Sequence, residues 1–443
     1  MARTYRDPRV QATSSAAGVD LATTQHQISR RAFRAGLLLI CLLAGFYVWC
    51  VVRVYRAHRL SAKRDQVSLE RAIQLQPREA SNYDLLGRYF MWNAQDPQAA
   101  AAQFQQAVKL NPYASSYWLH LAQAENSLGN DNQQTRAICN AIAVDPTTPE
   151  VAWDAANLFL VQGRTDEALD QLAVVVRNDP NMAEVALDTS WRALQDVDRI
   201  RRRLPPDPAV YLKFVKLLVA RQQWAAADQV WSSMLQLNRE FDPRTALFYV
   251  DALLAERDVA GARKVWQQAA DRSSSLKQYI TPDNLVVNTS FDLDILNAGF
   301  DWHYAALPGV AVMLDSTQTH RGSESLLITY SGSGDDAGIW QYVPVTPGAS
   351  YVASAWVRSE ELESADGPRL AIYDGYKNIE YGHSEEILGT TSWHRVETTF
   401  TAARDVMLVL VRFSRKPGNT RIRGQFWVDD VRLSQLGSAN PEQ

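Results

Sequence analysis

Residues 113–146 read YASSYWLHLAQAENSLGNDNQQTRAICNAIAVDP and lie between Pro112 and Pro146, which are 34 positions apart. Pro180 follows after another 34, and Gly129 and Gly163 keep the same interval. Ala107, Ala141 and Val175 occupy one phase of it. A period of this length, with a small residue inside the unit and a proline at its end, is that of a helical hairpin repeated along the chain. Small residues let two antiparallel helices approach, and large ones fill the neighbouring helix's gap. Proline ends the second helix because it lacks an amide hydrogen and its ring clashes with the turn before it. One hairpin cannot bury its apolar face alone, so neighbouring units must stack.

This stretch resembles the tetratricopeptide repeat (TPR) family at the residues that carry its pattern. In the first full unit Tyr83, Leu86, Gly87 and Phe90 match the first helix, and Ala100, Phe104, Ala107 and Pro112 the second. The next unit has Trp118, Leu121, Gly129, Ala141 and Pro146, with Ala122 replacing the small glycine and Glu125 the aromatic. The third has Ala156, Phe159, Gly163, Ala168, Leu172 and Pro180. Pro77 stands 35 residues before Pro112, which asks for one extra residue, expected in the turn around Gln95 to Gln98. A weaker echo recurs as Ala227 with Trp231, then Ala262 with Trp266 and Ala269. Between these, Arg199, Arg201, Arg202 and Arg203 run into LPPDP, read as an irregular joint with a solvated basic turn. The spacing thus predicts an all-α, TPR-like solenoid over 66–273, with roughly five or six hairpins. The resemblance implies a protein partner held on its concave face. Aromatic residues at the repeat phases read as packing residues.

Upstream lies AGLLLICLLAGFYVWCVV, Ala35 to Val52, without a charge. As a helix it would cover about 27 Å, close to the thickness of a bilayer's hydrocarbon core. Phe46, Tyr47, Trp49 and Tyr55 gather toward its end, where amphipathic rings suit the lipid boundary. A cleaved signal peptide and a buried core helix are the rival readings. A signal peptide would have a shorter apolar core and a small-residue cleavage site, which is not found after Val52. The expected division is a disordered tail over 1–32, one transmembrane helix over 33–54, the repeats, a linker over 274–282 and a further domain over 283–437. Arg30, Arg31 and Arg34 precede the apolar run, and Arg53, Arg56, Arg59, Lys63 and Arg64 follow it, so positive-inside counting slightly favours a cytoplasmic C-terminal side. Long folded domains cross largely regardless of charge.

From Leu285 onward the pattern changes to short β-branched and aromatic runs punctuated by Gly, Pro, Ser and Asp. Strands are expected at Leu285–Asn288, Val310–Leu314, Leu326–Tyr330, Ile339–Val345, Tyr351–Arg358, Leu370–Tyr373, His394–Phe400, Val406–Phe413 and Gln425–Leu433, which argues an all-β two-sheet sandwich. In Tyr351–Arg358 the alternation puts Tyr351, Ala353, Ala355 and Val357 on one face and Val352, Ser354 and Trp356 on the other. Val406–Phe413 is apolar on both faces and should be a central strand.

The order NTSFDLD, HRGSESLLI, WQYVPVTPGASYVASAWVR, SWHRVETTF, GQFWVDDVRL resembles the galactose-binding-like jelly rolls that include several carbohydrate-binding modules. The resemblance implies a sandwich that binds a glycan through aromatic platforms, often with a structural calcium. For glycan contact it points to Trp302, Tyr304, Tyr373, Tyr376 and Tyr381, which lie in polar, loop-like surroundings. For calcium it points to Asp292 or Asp294, to backbone oxygens of the Gly322–Ser323 turn, and to Asp429 or Asp430, since hard oxygen donors from separate segments suit that ion.

A formal net charge of −4 gives no basic footprint for nucleic acid. Of three cysteines, Cys41 and Cys50 fall in the apolar run, leaving Cys139 without a partner for an intramolecular disulfide. Neither HExxH nor GxSxG nor a phosphate-cradling glycine loop occurs. Carboxylates such as Asp335, Asp336, Glu385 and Glu386 would need a set separation to hydrolyse a glycoside. The expected protein is not an enzyme. It is a single-pass bacterial inner-membrane scaffold with its bulk extracytoplasmic, binding a protein through the repeats and a polysaccharide through the sandwich during envelope or exopolysaccharide assembly or export. One alternative is a structural assembly factor whose sandwich binds only protein, and another is a polysaccharide-modifying enzyme.

Overall fold

The computed structural model describes residues 30–332, 336–416, 418 and 421–437. Residues 1–29 of the expected tail over 1–32 lie outside the described residues, as does Asp335, while 30–32 belong to the first helix. Two compact units divide the chain, Met1–Ala137 and Ile138–Gln443.

In the first unit, α1 (Arg30–Ser61) carries the apolar run and continues without a break into a turn and α2 (Gln66–Leu75). Phe33–Ser61 is long and apolar enough to cross a membrane, and none of its most apolar window is buried. The far end of α1 is different: Ala57 is buried, Ser61 Oγ donates to Asn82 Oδ1, and Arg53 Nε donates to Leu75 O. The α1–α2 hairpin is followed by α3 (Ala80–Tyr89), α4 (Pro97–Leu110), α5 (Ser115–Ser127) and α6 (Asp131–Val144), the last of which crosses into the second unit.

The repeat signature has visible causes. A Cβ on Gly87 would stand 2.6 Å from Phe104 Cε1, inside van der Waals contact, so only glycine lets α3 and α4 approach this closely. Asp96 caps α4 by accepting from Ala99 N, and Pro97 occupies the first turn, where its missing N–H costs nothing. Tyr83 and Trp118, at one phase of successive units, donate to the carbonyls of Pro77 and Pro112 at 3.1 and 2.8 Å. These aromatics are therefore structural, as expected. The extra residue implied by the 35-residue spacing sits slightly earlier than expected, in a π turn over Phe90–Ala94 that ends at a left-handed Gln95.

In the second unit the helices continue as α7 (Pro149–Val161), α8 (Thr165–Asn178), α9 (Ala183–Leu194), α10 (Val197–Arg201), α11 (Pro208–Ala220), α12 (Trp224–Gln236), α13 (Leu247–Ala255) and α14 (Val259–Asp271). Trp231 and Trp266 are both buried. The arginine-rich joint is not free in solvent: Arg199 and Arg203 reach back to Asp166 at 2.7 and 2.9 Å, and Arg203 also reaches Asp170 at 2.6 Å. Short α10 thus clips onto α8. A further short helix, α15 (Ser274–Lys277), falls where the linker was expected, and it is packed, with Leu276 and Tyr279 buried.

Among the described residues ten antiparallel strands follow: β1 (Trp302–Tyr304), β2 (Val310–Asp315), β3 (Ser325–Gly332), β4 (Asp336–Pro344), β5 (Ser350–Glu363), β6 (Arg369–Asp374), β7 (Glu380–His383), β8 (Gly389–Thr401), β9 (Leu408–Ser414) and β10 (Ile422–Gln435). They form two five-stranded sheets ordered β1-β4-β9-β6-β7 and β2-β3-β10-β5-β8. The core between them is built from inward positions such as Ile339, Val343, Val357, Ile372, Val411 and Val428. Tyr351, Ala353, Ala355 and Val357 do face it, and β9 is central in its sheet, both as expected. Leu285–Asn288 is not a strand. It runs irregularly beside β10, where Asn284 bonds Val431 O and Leu433 N, because its hydrogen bonds go to side chains and single carbonyls instead of a ladder. The short strands β1 and β7 were not anticipated.

Candidate carbohydrate-binding face

Strand alternation gives the first sheet an outer face as well as a core face. Ile339, Gln341 and Val343 of β4 are buried, so Trp340 and Tyr342 point outward and are partly exposed. The register then aligns His303, Trp340, Arg412, Ala371 and His383 across all five strands, with Tyr342, Leu410, Tyr373 and Glu380 in the next row. His303 stacks on Trp340 at 5.8 Å and 12°, and meets Tyr342 edge-on at 5.4 Å. Arg412 lies over the Tyr373 ring at 4.8 Å and pairs with Asp336. Arg369, almost fully buried, reaches Glu380 at 2.9 Å, and Glu380 also accepts from Tyr373 Oη at 2.8 Å and meets His383 Nδ1 at 2.5 Å. The Nε atoms of Arg412 and Arg369 are buried without a hydrogen-bond partner. Flat rings beside a fixed polar network are what a sugar requires: its axial C–H faces stack on aromatics while its hydroxyls meet positioned donors and acceptors.

The five aromatics expected to touch glycan separate into different environments. Trp302 is a correction: it is fully buried in β1, against Phe291 and Phe413, and donates to Asn288 O at 3.2 Å. A ring with no exposed face cannot stack on a sugar. Tyr304 is exposed at the end of β1. Tyr373 belongs to the outer face, with burial raising its hydroxyl pKa and its bond to Glu380 adding to the rise. Tyr381 stacks on Phe400 at 6.3 Å and donates to Asp374 Oδ2.

Tyr376 is half-buried and engaged by the helical region. Its hydroxyl donates to Leu254 O at the end of α13 at 2.9 Å, and Arg257 covers its ring at 5.2 Å. Burial pushes its pKa up to about 12. The last helical hairpin docks here on the edge of the sandwich. Gly299 N donates to Asp251 Oδ1 at 2.6 Å, and Trp266 meets Phe300 edge-on at 5.8 Å. Burial raises the Asp251 carboxyl pKa, while the Gly299 amide and His303 oppose that rise. A cleft of about 190 Å³ remains at this joint, lined by Arg257, Val259, Tyr376, Lys377, Asp405 and Leu408, among others.

The calcium candidates are held by hydrogen bonds and ion pairs of their own. Asp292 Oδ1 accepts from Ser323 N at 2.6 Å, Ser323 Oγ at 2.9 Å and Glu324 N at 3.2 Å, and Oδ2 accepts from Ser290 Oγ at 2.7 Å. The turn after Gly322 (φ +77°) thus presents donors to Asp292, the opposite polarity from a cation site. Burial alone would raise the Asp292 pKa, but these donors hold it below the usual range. Asp429 is fully buried, with Oδ2 accepting from His320 N and Arg321 N at 2.8 and 2.9 Å. Burial raises its pKa despite those bonds. Asp430 pairs with Arg432, and Asp294 is exposed beside Arg244. Among the described residues no three His, Cys, Asp or Glu side chains group as a metal site. These carboxylates tie loops to strands.

Residues 283–418 match the family model for a carbohydrate binding domain. Residues 92–132 match that of the tetratricopeptide repeat. The chain therefore joins a repeat region of the protein-interaction type to a module of the carbohydrate-binding type, and both matched domains are of non-catalytic kinds. A solved structure described as "CBM4 structure and function" is similar at 19% identity, covering 34% of this chain and 99% of that one, with a TM-score of 0.27. The MamA protein is similar at 13% identity, covering 40% and 94%, with a TM-score of 0.31. Pseudomonas aeruginosa pilF is similar at 16% identity, covering 45% and 96%, with a TM-score of 0.22. No curated protein matches the chain.

Sequence reading missed His303, Trp340, Tyr342 and Arg412. The signal was present in IWQYV, where Trp340 and Tyr342 share one face of β4 while Ile339 and Val343 share the other, so that both faces carry large apolar side chains.

Proposed function

We propose that this chain is a single-pass membrane protein that holds a polysaccharide on the outer face of the β1-β4-β9-β6-β7 sheet and a protein partner on its helical repeats, at a site of envelope or exopolysaccharide assembly or export. The observation that carries the reading is the row of His303, Trp340 and Arg412 with Tyr342 beside it, a stacking surface edged by the Arg412–Asp336 and Arg369–Glu380 pairs and backed by the buried Tyr373. The carbohydrate binding domain match supports it. The exposed apolar length of α1 supports the anchor, and an extracellular polymer as ligand favours an extracytoplasmic bulk.

The carboxylates on the face are engaged by arginines, and Glu386 elsewhere pairs with Lys416 at 2.5 Å, an arrangement that suits binding better than hydrolysis. For the protein partner, the α3 and α5 side carries the exposed Trp92 beneath Arg88, and His120 against Asp84 at 2.6 Å, an aromatic and charged surface of the sort that anchors peptides.

The test is retention of the detergent-solubilised full chain on gels containing β-glucan, xylan, galactan or the host's own surface polysaccharide. Trp340→Ala should weaken retention at least tenfold while Tyr304→Ala leaves it unchanged. Equal retention of Trp340→Ala and the parent on a retaining polymer, or no retention on any of them, would refute the glycan face and favour a sandwich that binds protein.

A further inference from the structure

The end of α1 and the antiparallel α2 form a cleft that the glycan and partner readings leave unused. Its volume is about 740 Å³, and it is lined by Tyr55, Arg56, Arg59, Lys63 and Arg71 with apolar Leu60 and Leu75 among them. We propose that this cleft binds the phosphate headgroup of an anionic phospholipid from the membrane that α1 crosses, an inference that rests on the anchor reading above.

Position is the first argument. No glycine or proline interrupts α1 between Phe46 and Ser61, so a straight helix carries the cleft at a fixed height above the apolar run. At 1.5 Å per residue Arg56 stands about 6 Å and Arg59 about 10 Å past Val52, the depth of the headgroup layer and just above it. Because α2 runs back toward the membrane, with Arg53 Nε bonded to Leu75 O at 2.5 Å, Arg71 returns to that level too. Long basic side chains can lower their charges further along an apolar stem.

Charge is the second. From Arg53 to Glu79 there are seven cations, Arg53, Arg56, Arg59, Lys63, Arg64, Arg71 and Arg78, against three acids, Asp65, Glu70 and Glu79. Asp65 and Glu79 are committed to capping α2 and α3, accepting from Ser68 N and Ser81 N. Arg56, Arg59, Lys63 and Arg71 form no ion pair among the described residues. Elsewhere in the repeats some basic side chains find acidic partners, as Arg203 and Lys264 do, and unpaired ones among the described residues, such as Lys109, Arg177, Arg192 and Lys216, are spread along the sequence, whereas these four line one cleft. Four uncompensated cations around an apolar floor, continuous with a lipid-facing helix, match an amphiphile with a phosphate head and acyl chains better than a soluble anion.

The full chain would be placed in bilayers of phosphatidylcholine with a minor share of phosphatidylglycerol, released gently, and its retained lipids read by native mass spectrometry. The parent should retain phosphatidylglycerol in preference to phosphatidylcholine. Joint substitution Arg56→Gln, Arg59→Gln, Lys63→Gln and Arg71→Gln should reduce that preference at least tenfold. A control removing as many charges elsewhere, Lys109→Gln, Arg177→Gln, Arg192→Gln and Lys216→Gln, should keep it. The single change Arg71→Gln, on α2 and away from the apolar run, should give a partial loss without altering the helical circular dichroism. An unchanged preference in the fourfold cleft variant would overturn the proposal, as would displacement of the lipid by excess inorganic phosphate, which would identify the occupant as a soluble anion. Resistance to alkaline extraction is read on the same samples: a chain extracted from the bilayer refutes the anchor and this inference together, while a chain that stays but shows no lipid preference refutes this inference alone.

Discussion

Asp301 offers the sharpest test of the sandwich's electrostatics. It precedes β1, is fully buried, and accepts from Leu296 N through Oδ2 at 2.7 Å while Oδ1 has no hydrogen-bond partner. Burial pushes its pKa up from 3.8 to about 7, only partly opposed by the Leu296 amide. The folded state therefore holds the proton more tightly than the unfolded chain. Its contribution to stability is complete below about pH 4 and is lost as the pH rises to about 7. Each pKa unit corresponds to about 1.4 kcal/mol, so the loss approaches about 4 kcal/mol as an upper bound, and roughly 3 kcal/mol of it falls between pH 5 and pH 8. Asp301→Asn keeps an acceptor for Leu296 N and cannot ionise. The variant should gain on the parent across that interval, by about 6 to 12 °C in the sandwich's melting temperature at roughly 2 to 4 °C per kcal/mol. Paired thermal melts of the full chain at pH 5 and pH 8, followed by tryptophan fluorescence, measure it. Parallel pH dependence in the two proteins would show that Asp301 is ionised and satisfied throughout, and the argument from its orphaned oxygen would fail.

Two more outcomes follow from packing. Gly87→Val would drive a branched side chain into the Phe104 ring, which is fully buried, and should destabilise the first unit by about 1 to 3 kcal/mol in denaturant melts. Gly129→Ala meets nothing within 4 Å but must hold a left-handed φ of +73°, so it should still cost about 1 to 2 kcal/mol. Tyr376→Phe removes the bond to Leu254 O at the joint between α13 and the sandwich. It should cost about 1 kcal/mol and speed proteolytic cleavage in the 272–283 segment, while leaving polysaccharide retention intact; a fall in retention would return Tyr376 to the glycan site.

Much of this architecture was legible in the residues because its determinants are local or periodic. The proline interval, the close approach at Gly87 and the caps at Asp96 and Asp65 each act within a hairpin or less. The apolar run of α1 is a composition signal, and alternation in Tyr351–Val357 states which side chains share a face. What alternation cannot state is which face of a strand a second sheet covers and which it leaves to a ligand. Trp302 and Trp340 are neighbouring-strand tryptophans with the same chemistry, and one is core while the other looks outward only because the register pairs Trp302 with Gln341 and His303 with Trp340. The preference for loop aromatics over strand aromatics therefore chose a tryptophan that the fold buries.

Tyr376 shows the same limit at longer range. Its surroundings in sequence are polar, and its cover comes from Leu254 and Arg257, more than a hundred residues upstream. Asp292 and Asp429 likewise read as free carboxylates until the fold delivers the amides of Ser323 and His320 to them. The sequence by itself determined the helical repeats, the apolar helix and the alternating strands, since each depends on spacing along one segment. Only the tertiary structure decided which aromatic rings and carboxylates remain available, because availability depends on what distant segments bring against them.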